Sequence, residues 1–407
     1  MSKNREFDVI IWGASGFTGR LVAEYYLKQY GLDGELKWAM AGRSQAKLEQ
    51  VRSELGNDSV PLIIADSHDV DSLNAMVQRA SVICTTVGPY AKYGNELVAA
   101  CVEHGTDYCD LAGETQWIRK MIDQHHDAAE KSGSRIVHCC GFDSIPSDLG
   151  TYFIQREALS SMGECCQHVK MRVKTMKGTF SGGTIASLNN VMLEASQDPE
   201  IEKVLFNPYG LNPQGEMSGP DKADLQSVKY DPDLGAWIMP FVMAAINTRV
   251  VRRSNALADY RYGKDFRYDE TMVGGEGFSG RLKGYAGLLA LGALMAGKPD
   301  SLYKKILGHF LPDPGEGPDR AARDSGFYHF VVIGKLRNGK IIRAKITGDS
   351  DPGYGSTSKM LGESAACLAL DTKPTNKNAG VLTPSTAMGD ALLQRLEEKA
   401  GLSFTIT

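Results

Sequence analysis

Over its first 150 residues the chain alternates short apolar runs with longer stretches of mixed polarity. Phe7–Trp12 (FDVIIW), Lys37–Ala41, Val60–Ala65 (VPLIIA), Ser81–Val87, Thr106–Leu111 and Arg135–Cys140 (RIVHCC) read as strands. Phe17–Tyr30, Gln45–Leu55, Val70–Arg79, Gly94–His104 and Thr115–Lys131 between them read as helices. Continuously apolar strands separated by helices pair in parallel, because each crossover helix covers a face of the sheet. The pattern predicts an α/β fold, with a Rossmann-type parallel sheet domain over residues 1–150.

The rhythm then changes. Gln167–Thr175 and Phe327–Thr347 look like longer antiparallel strands, and Asn338-Gly339 inside the second is a hairpin signal. Thr184–Ser196 reads as a helix. Residues 151–354 are expected to form an inserted α+β domain for substrate binding or dimerisation. Lys359–Leu370 and Pro384–Ala400 are helical again, so 355–407 is expected to return and complete the Rossmann domain. Asn207–Asp233 reads as a long irregular loop of the kind that serves as a lid or mobile segment. The basic run Arg249–Tyr268, with Arg252, Arg253, Arg261, Lys264 and Arg267, reads first as a solvated face.

Leu282–Gly297 is the most apolar stretch, yet it is shorter than the about 20 residues that span a bilayer. Arg281, Lys283, Lys298, Lys304 and Lys305 flank it. A buried core helix, a peripheral membrane or lipid contact, an acyl-binding lid and a homodimer contact all fit that pattern.

Of 407 residues, 42% are hydrophobic and 23% charged, which excludes a disordered chain. A net charge of −4 provides no global basic field for nucleic acid. The eight cysteines show no C-x-x-C pair, and the opening Met-Ser-Lys-Asn-Arg leads into a strand rather than a signal peptide. A reduced, cytoplasmic setting and no metal are the expectation. No G-x-S-x-G elbow supports serine hydrolysis. The letters of Tyr260–Lys264 match Tyr-x-x-x-Lys but lie far from the nucleotide domain.

The chemistry concentrates at the strand ends. Gly13-Ala14-Ser15-Gly16-Phe17-Thr18-Gly19 follows the first strand and opens the first helix. Gly13 permits the tight turn, Gly16 lets backbone N–H groups approach a pyrophosphate, and Gly19 allows close helix packing. NAD-preferring domains place a carboxylate about 20 residues further on, at the end of the second strand. Here Arg43 and Ser44 stand there instead, which favours NADP(H), because a guanidinium matches a 2′-phosphate. Asp66 ends the third strand, beside the expected adenine or as a helix cap. Val87-Gly88-Pro89-Tyr90 would face the nicotinamide, with Tyr90 as proton donor or pocket wall. Gly141-Phe142-Asp143, ahead of Ser144-Ile145-Pro146, lines the cleft and caps a helix at once. Ser181-Gly182-Gly183-Thr184 precedes a helix whose N–H groups would bind a carbonyl or anion, or simply cap it.

These segments resemble the saccharopine dehydrogenase-like oxidoreductases: Gly13–Gly19, Ala41-Gly42-Arg43, Val87–Tyr90, Tyr108–Glu114 (YCDLAGE) and Gly141–Asp148. Ser181–Thr184, Pro314–Pro318 (PGEGP), Asp351–Ala366, beginning DPGYGSTSK, and Gly380–Pro384 (GVLTP) are similar to the branch called trans-acting enoyl reductases. The resemblance implies a Rossmann domain with an inserted α+β domain and NADP(H) as cofactor. It also implies reduction of a carbon–carbon double bond in a lipid or polyketide-derived acyl group, small or carrier-bound. Tyr90 and Asp143 are then the candidate proton donors, and Ser181 and Thr184 the candidate oxyanion partners. The alternatives are a saccharopine-type dehydrogenase acting on a carbon–nitrogen bond, and a non-catalytic NADP(H)-binding lipid-associated protein.

Overall fold

A computed structural model describes residues 5–178, 182–295, 317–373 and 378–407, the side chains at 182–186, 188, 189, 294 and 295 excepted. The chain opens with β1 (Phe7–Trp12), α1 (Phe17–Gln29), β2 (Trp38–Gly42), α2 (Gln45–Glu54), β3 (Leu62–Ile64) and α3 (Val70–Val77). It continues through β4 (Ala80–Thr85), the short α4 (Tyr90–Tyr93), α5 (Asn95–His104), β5 (Asp107–Cys109), α6 (Thr115–Ser132), β6 (Arg135–Val137) and α7 (Ile145–Met162). Next come β7 (His168–Lys177), α8 (Gly182–Gln197), α9 (Pro199–Phe206), β8 (Lys229–Asp231), β9 (Ala236–Met239), α10 (Ala244–Leu257), β10 (Arg267–Gly275) and α11 (Gly277–Met295). The final part holds α12 (Arg320–Asp324), β11 (Phe327–Lys335), β12 (Ile341–Gly348) and a π-helical turn at Pro352–Ser356. It ends with α13 (Thr357–Leu370), β13 (Gly380–Leu382), α14 (Pro384–Lys399) and β14 (Leu402–Ile406).

Two seven-stranded sheets result. The first runs β13-β6-β5-β4-β1-β2-β3, all parallel. Val9, Ile10 and Ile11 of β1 are inaccessible, as a strand covered on both faces requires. The strand order reverses between β1 and β4, the switch point at whose carboxyl ends open α/β sheets bind their ligands. The second sheet is mixed, in the order β14-β12-β11-β7-β10-β9-β8. Asn338-Gly339 closes the β11–β12 hairpin, with Gly339 at φ +85° and Leu336 N–H bonded to the Lys340 carbonyl at 2.9 Å.

The returning segment is divided between the sheets. Residues 380–382 form the edge strand beside β6, and 402–406 pair with β12 of the second sheet. α13 lies against α1, where Tyr25 and Tyr30 both donate to Glu363 Oε1 at 2.6 Å. Arg395 of α14 reaches the other Glu363 oxygen at 3.0 Å. The eight cysteines carry no disulfide, and seven are buried.

The basic run of α10 is not a solvated face. Arg249, Arg252 and Arg253 are at most 3% exposed. They point at the irregular segment after α9, whose carbonyls have no ladder of their own and must find donors elsewhere. Arg249 bonds the Leu205 carbonyl at 3.0 Å and pairs with Asp224. Arg252 reaches the Pro208 carbonyl at 2.9 Å and Asp221 at 2.7 Å, and Arg253 reaches Leu211 at 2.6 Å. Arg119 of α6 adds the Asn212 carbonyl at 2.7 Å. Arg253 has no carboxylate partner among the described residues, and burial pulls its pKa down to about 9. The first half of the Asn207–Asp233 loop is therefore held to α6 and α10 by these side chains.

The apolar run lies mainly within α11 and does not form a core helix. Its small residues face inward: a Cβ at Gly284 would sit 2.9 Å from Val228, and one at Gly280 would overlap the Gly275 backbone. Phe278, Leu282 and Leu289 face outward at 80%, 62% and 75% exposure. No helix among the described residues is long and apolar enough to cross a membrane.

Replacing Arg252 by Met strips Asp221 of its charged partner, leaving it the Tyr268 N–H at 3.0 Å, and takes a donor from the Pro208 and Tyr268 carbonyls. We expect a loss of about 3 kcal/mol in urea unfolding, with new protease cleavage near Asp221, since removing one partner of a buried pair strands the other.

Candidate active site

The crevice is built from glycines upward. Gly13 leaves β1 at φ +87°, and a Cβ there would come within 2.6 Å of Val87. A Cβ at Gly19 would overlap the Gly13 carbonyl, so α1 lies close against the loop that it follows. Gly16 caps α1 without a side chain, and the first turn holds no acidic residue. The amino end of α1 thus presents free N–H groups and its positive dipole to the crevice. Ala14 is fully buried, and Ser15 Oγ would lie 3.5 Å from a Cβ at Gly42. Phe17, the first helical residue, meets the Tyr354 ring at 4.7 Å, so the π-helical turn roofs this end of the crevice.

Arg43 stands exposed at the end of β2, with no ion-pair or hydrogen-bond partner among the described residues. Ser44 caps α2 by accepting from Lys47 N–H at 3.4 Å. Asp66 accepts from His68 N–H at 2.9 Å, and the cap of α3 is Asp69 instead. The features a dinucleotide needs are present: a turn too tight for a side chain, an uncapped helix start and an unpaired guanidinium at the next strand end.

The other half of the crevice collects carboxylates. Tyr90 is buried, and its hydroxyl donates to the Thr85 carbonyl at 3.3 Å and accepts from Leu111 N–H at 3.1 Å. Burial and then the Asp110 charge raise its pKa further. Its ring stacks on Trp117 at 5.5 Å, the geometry of a wall. Asp110 accepts from Tyr108, Ala112 N–H and Cys139 N–H and lies 2.7 Å from His138 Nδ1. Glu114 accepts from Tyr90 N–H, Ala91 N–H and Ser187.

Asp143 differs. It is half-buried beyond the end of β6 and has no hydrogen-bond partner among the described residues. Burial alone raises its pKa to about 6. Phe142 N–H donates to Thr357 Oγ1 at 3.1 Å, and Ser144 donates to Asn247 at 2.9 Å, so the residues beside Asp143 are held on both sides. Gly141 packs against Leu111 and Thr357.

Ser181 lies outside the described residues, while Gly182, Gly183 and Thr184 open α8. A Cβ at Gly178, just before them, would collide with Asp351 and Pro352. The end of β7 thus packs on the π-helical turn, while the Ser187 hydroxyl on Glu114 places α8 beside β5 and α4. Glu114, Ser187, Thr357 and Tyr354 were not singled out by residue-level reading. Their signal was position: Glu114 lies five residues past a strand end, and Thr357 and Tyr354 fall in the run Asp351–Lys359.

Residues 9–137, spanning β1 to β6, match the model of the saccharopine dehydrogenase NADP binding domain. A Mycobacterium tuberculosis relative is 42% identical over 419 aligned positions, covering 99% of this chain and 98% of that protein, and its name assigns it provisionally to the trans-acting enoyl reductases. A Mycobacterium bovis protein named trans-acting enoyl reductase is 40% identical over 407 positions, with 96% of both chains covered. Among solved structures, apo saccharopine dehydrogenase (L-Glu forming) from Saccharomyces cerevisiae is similar in fold. Its TM-score is 0.54 at 14% identity, over 98% of this chain and 100% of that one.

Arg43→Ala is expected to raise the dissociation constant for NADPH about 30-fold and that for NADH less than about twofold, as befits a charge-assisted contact to the 2′-phosphate alone. Calorimetry with both nucleotides checks this, and equal weakening of the two would remove Arg43 from that role.

Proposed function

The chain belongs to the trans-acting enoyl reductase family, and we propose that it reduces the carbon–carbon double bond of an enoyl thioester with Asp143 as the proton donor. It is an NADP(H)-dependent oxidoreductase with a saccharopine dehydrogenase-type nucleotide domain. Asp143 carries the reading, because it is the carboxyl at this edge that no protein donor holds among the described residues.

The N–H groups of Gly13–Gly19 would hold the pyrophosphate, Arg43 and Ser44 the 2′-phosphate, and Asp66 would flank the adenine. Val87–Tyr90 and Gly141-Phe142 would wall the nicotinamide half. Bound NADPH supplies a hydride to the β-carbon of the enoyl group. The amino end of α8, at Ser181–Thr184, would face the acyl carbonyl and favour negative charge on its oxygen. Asp143 would then give its proton to the α-carbon, leaving a saturated acyl thioester and a carboxylate that water recharges. Tyr90, with both hydrogen bonds internal, would shape the pocket and exclude water.

The outward face of α11 supports a peripheral contact with lipid. Phe278, Leu282, Tyr285 and Leu289 recur at i, i+4, i+7 and i+11, one face of a helix. Arg281, stacked on Trp237 at 5.1 Å, and Lys283 supply positive charge beside that stripe. Binding there would bring the enzyme to a surface where long acyl chains gather. Sedimentation with anionic phosphatidylglycerol vesicles is expected to lose at least about tenfold in the double variant Leu282→Asp/Leu289→Asp. Equal binding by the double variant would exclude α11 as the contact.

The acid form of Asp143 is the active one, and its carboxyl titrates at about 6. Activity toward a crotonyl thioester, as kcat/KM, is therefore expected to be flat below pH 6 and to fall tenfold per pH unit above it. Asp143→Asn should remove this limb and lower kcat by about 10²-fold or more. An unchanged pH profile in that variant would assign the proton to another group.

A further inference from the structure

Glu114 is fully buried between the two halves of the site, and the reduction as written does not use it. Its oxygens accept three hydrogen bonds. Tyr90 N–H at 2.8 Å and the Ser187 hydroxyl at 2.9 Å reach Oε1, and Ala91 N–H at 2.9 Å reaches Oε2. Tyr90 and Ala91 open α4, directly after the cofactor-side turn Gly88-Pro89. Ser187 belongs to α8, one turn beyond the end that would meet the acyl carbonyl. One carboxylate therefore holds a piece of each side of the reaction.

A parallel contact supports it. Gln116 Nε2 donates to Glu194 Oε2 at 2.9 Å, and Asn190 holds the other Glu194 oxygen at 2.7 Å. Ser187, Asn190 and Glu194 stand at i, i+3 and i+7, so they share one face of α8. That face meets Glu114 and Gln116 at the start of α6. An apolar contact tolerates sliding, whereas directional hydrogen bonds to buried groups set depth and rotation together. Burial raises the pKa of Glu114, and the donors from Ala91, Tyr90 and Ser187 oppose that rise. The chemistry asks for a carboxylate: an amide has one accepting atom and would turn its own N–H₂ toward a backbone N–H.

We propose that Glu114 is a positioning residue for the reduction, fixing the amino end of α8 against the turn Gly88–Tyr90 through its shared bonds to Ser187, Tyr90 and Ala91. The kinetic consequence rests on the reductase reading; the mechanical one does not. Loss of the Ser187 arm alone loosens α8 and leaves the nucleotide cradle intact, because no residue of Gly13–Gly19 or Arg43 bonds to Ser187 or Glu114 among the described residues. A misplacement of this kind lowers the rate of the chemical step more than it weakens binding.

The experiment uses the full chain with NADPH and a crotonyl thioester, comparing Ser187→Ala, Ser187→Thr and Glu114→Gln. In Ser187→Ala, amide exchange across residues 182–197 in the NADPH complex is expected to speed up about tenfold, the worth of a hydrogen bond to a charged group. In the same variant kcat is expected to fall about tenfold, with KM and the NADPH dissociation constant within about twofold. Ser187→Thr, which restores the hydroxyl, should return both to the unaltered values. Glu114→Gln should show the same pattern, more strongly. Unchanged exchange in Ser187→Ala, a loss that Thr does not restore, or an equal loss of NADPH affinity would each overturn the proposal. Absence of turnover in the unaltered protein would tell against the reductase reading. The exchange and its rescue would then still decide whether Glu114 holds α8 to the cofactor-side turn.

Discussion

A parallel sheet gathers the carboxyl ends of all its strands along one edge, and the site of this protein depends on that constraint. At β1 the edge meets the amino end of α1 across a turn that only glycine can make, with Gly13 at φ +87°. At β2 it carries Arg43 and beyond β6 Asp143, neither with a partner among the described residues. The spacing between the amino end of α1, Arg43 and Asp143 is thus set by strand order, not by any single loop. The second sheet contributes by packing the end of β7 on the π-helical turn at Pro352–Ser356, while the Ser187 hydroxyl on Glu114 places α8 beside β5 and α4.

The carboxylates at this edge divide their work by how many donors each receives. Asp110 is saturated by Tyr108 and two backbone N–H groups, with His138 alongside. Glu114 accepts from three donors, and Asp148 accepts from Ser254 and from both the backbone and hydroxyl of Ser385. Each of these is a structural joint, because a charge so held gains more from its donors than from giving up its identity to a substrate. Asp143 has no such donors among the described residues; burial raises its pKa to about 6, as it does that of Asp148, so what sets Asp143 apart is its free oxygens and not its pKa. A group left unsatisfied by the fold is the one available for chemistry.

Irregular backbone is handled by the same accounting. The segment after α9 is long and lacks a ladder over most of its length; Arg119, Arg252 and Arg253 donate to its carbonyls, and Arg249 to the Leu205 carbonyl in the last turn of α9. The Arg249–Tyr268 run is a solvated face only at Arg261, Lys264 and Arg267; Arg249, Arg252 and Arg253 are buried, because backbone carbonyls and carboxylates packed against α10 need donors. The Asn207–Asp233 segment is irregular up to β8, as its composition predicts, and its first half is held by the same side chains. In α11 the opposite happened: an apolar run stayed outside because its glycines, not its leucines, fit against β9 and β10.

Local pattern determined the nucleotide half of this protein. Strand–glycine–helix order, apolar runs of strand length and the Arg43-Ser44 pair are short-range features, and their consequence follows from backbone geometry within about 40 residues. Most of the Rossmann strands and helices were legible to within a few residues. The three-residue β13 and the terminal β14 were not, because neither stands in the strand–helix alternation of the first 150 residues and each pairs with a strand from a distant part of the chain. Which carboxyl stays free, whether Tyr90 is donor or wall, and how α8 is held at Glu114 are likewise decided by partners up to hundreds of residues away. Hydrogen-bond saturation is a property of the assembled interior, so only the tertiary structure could assign it.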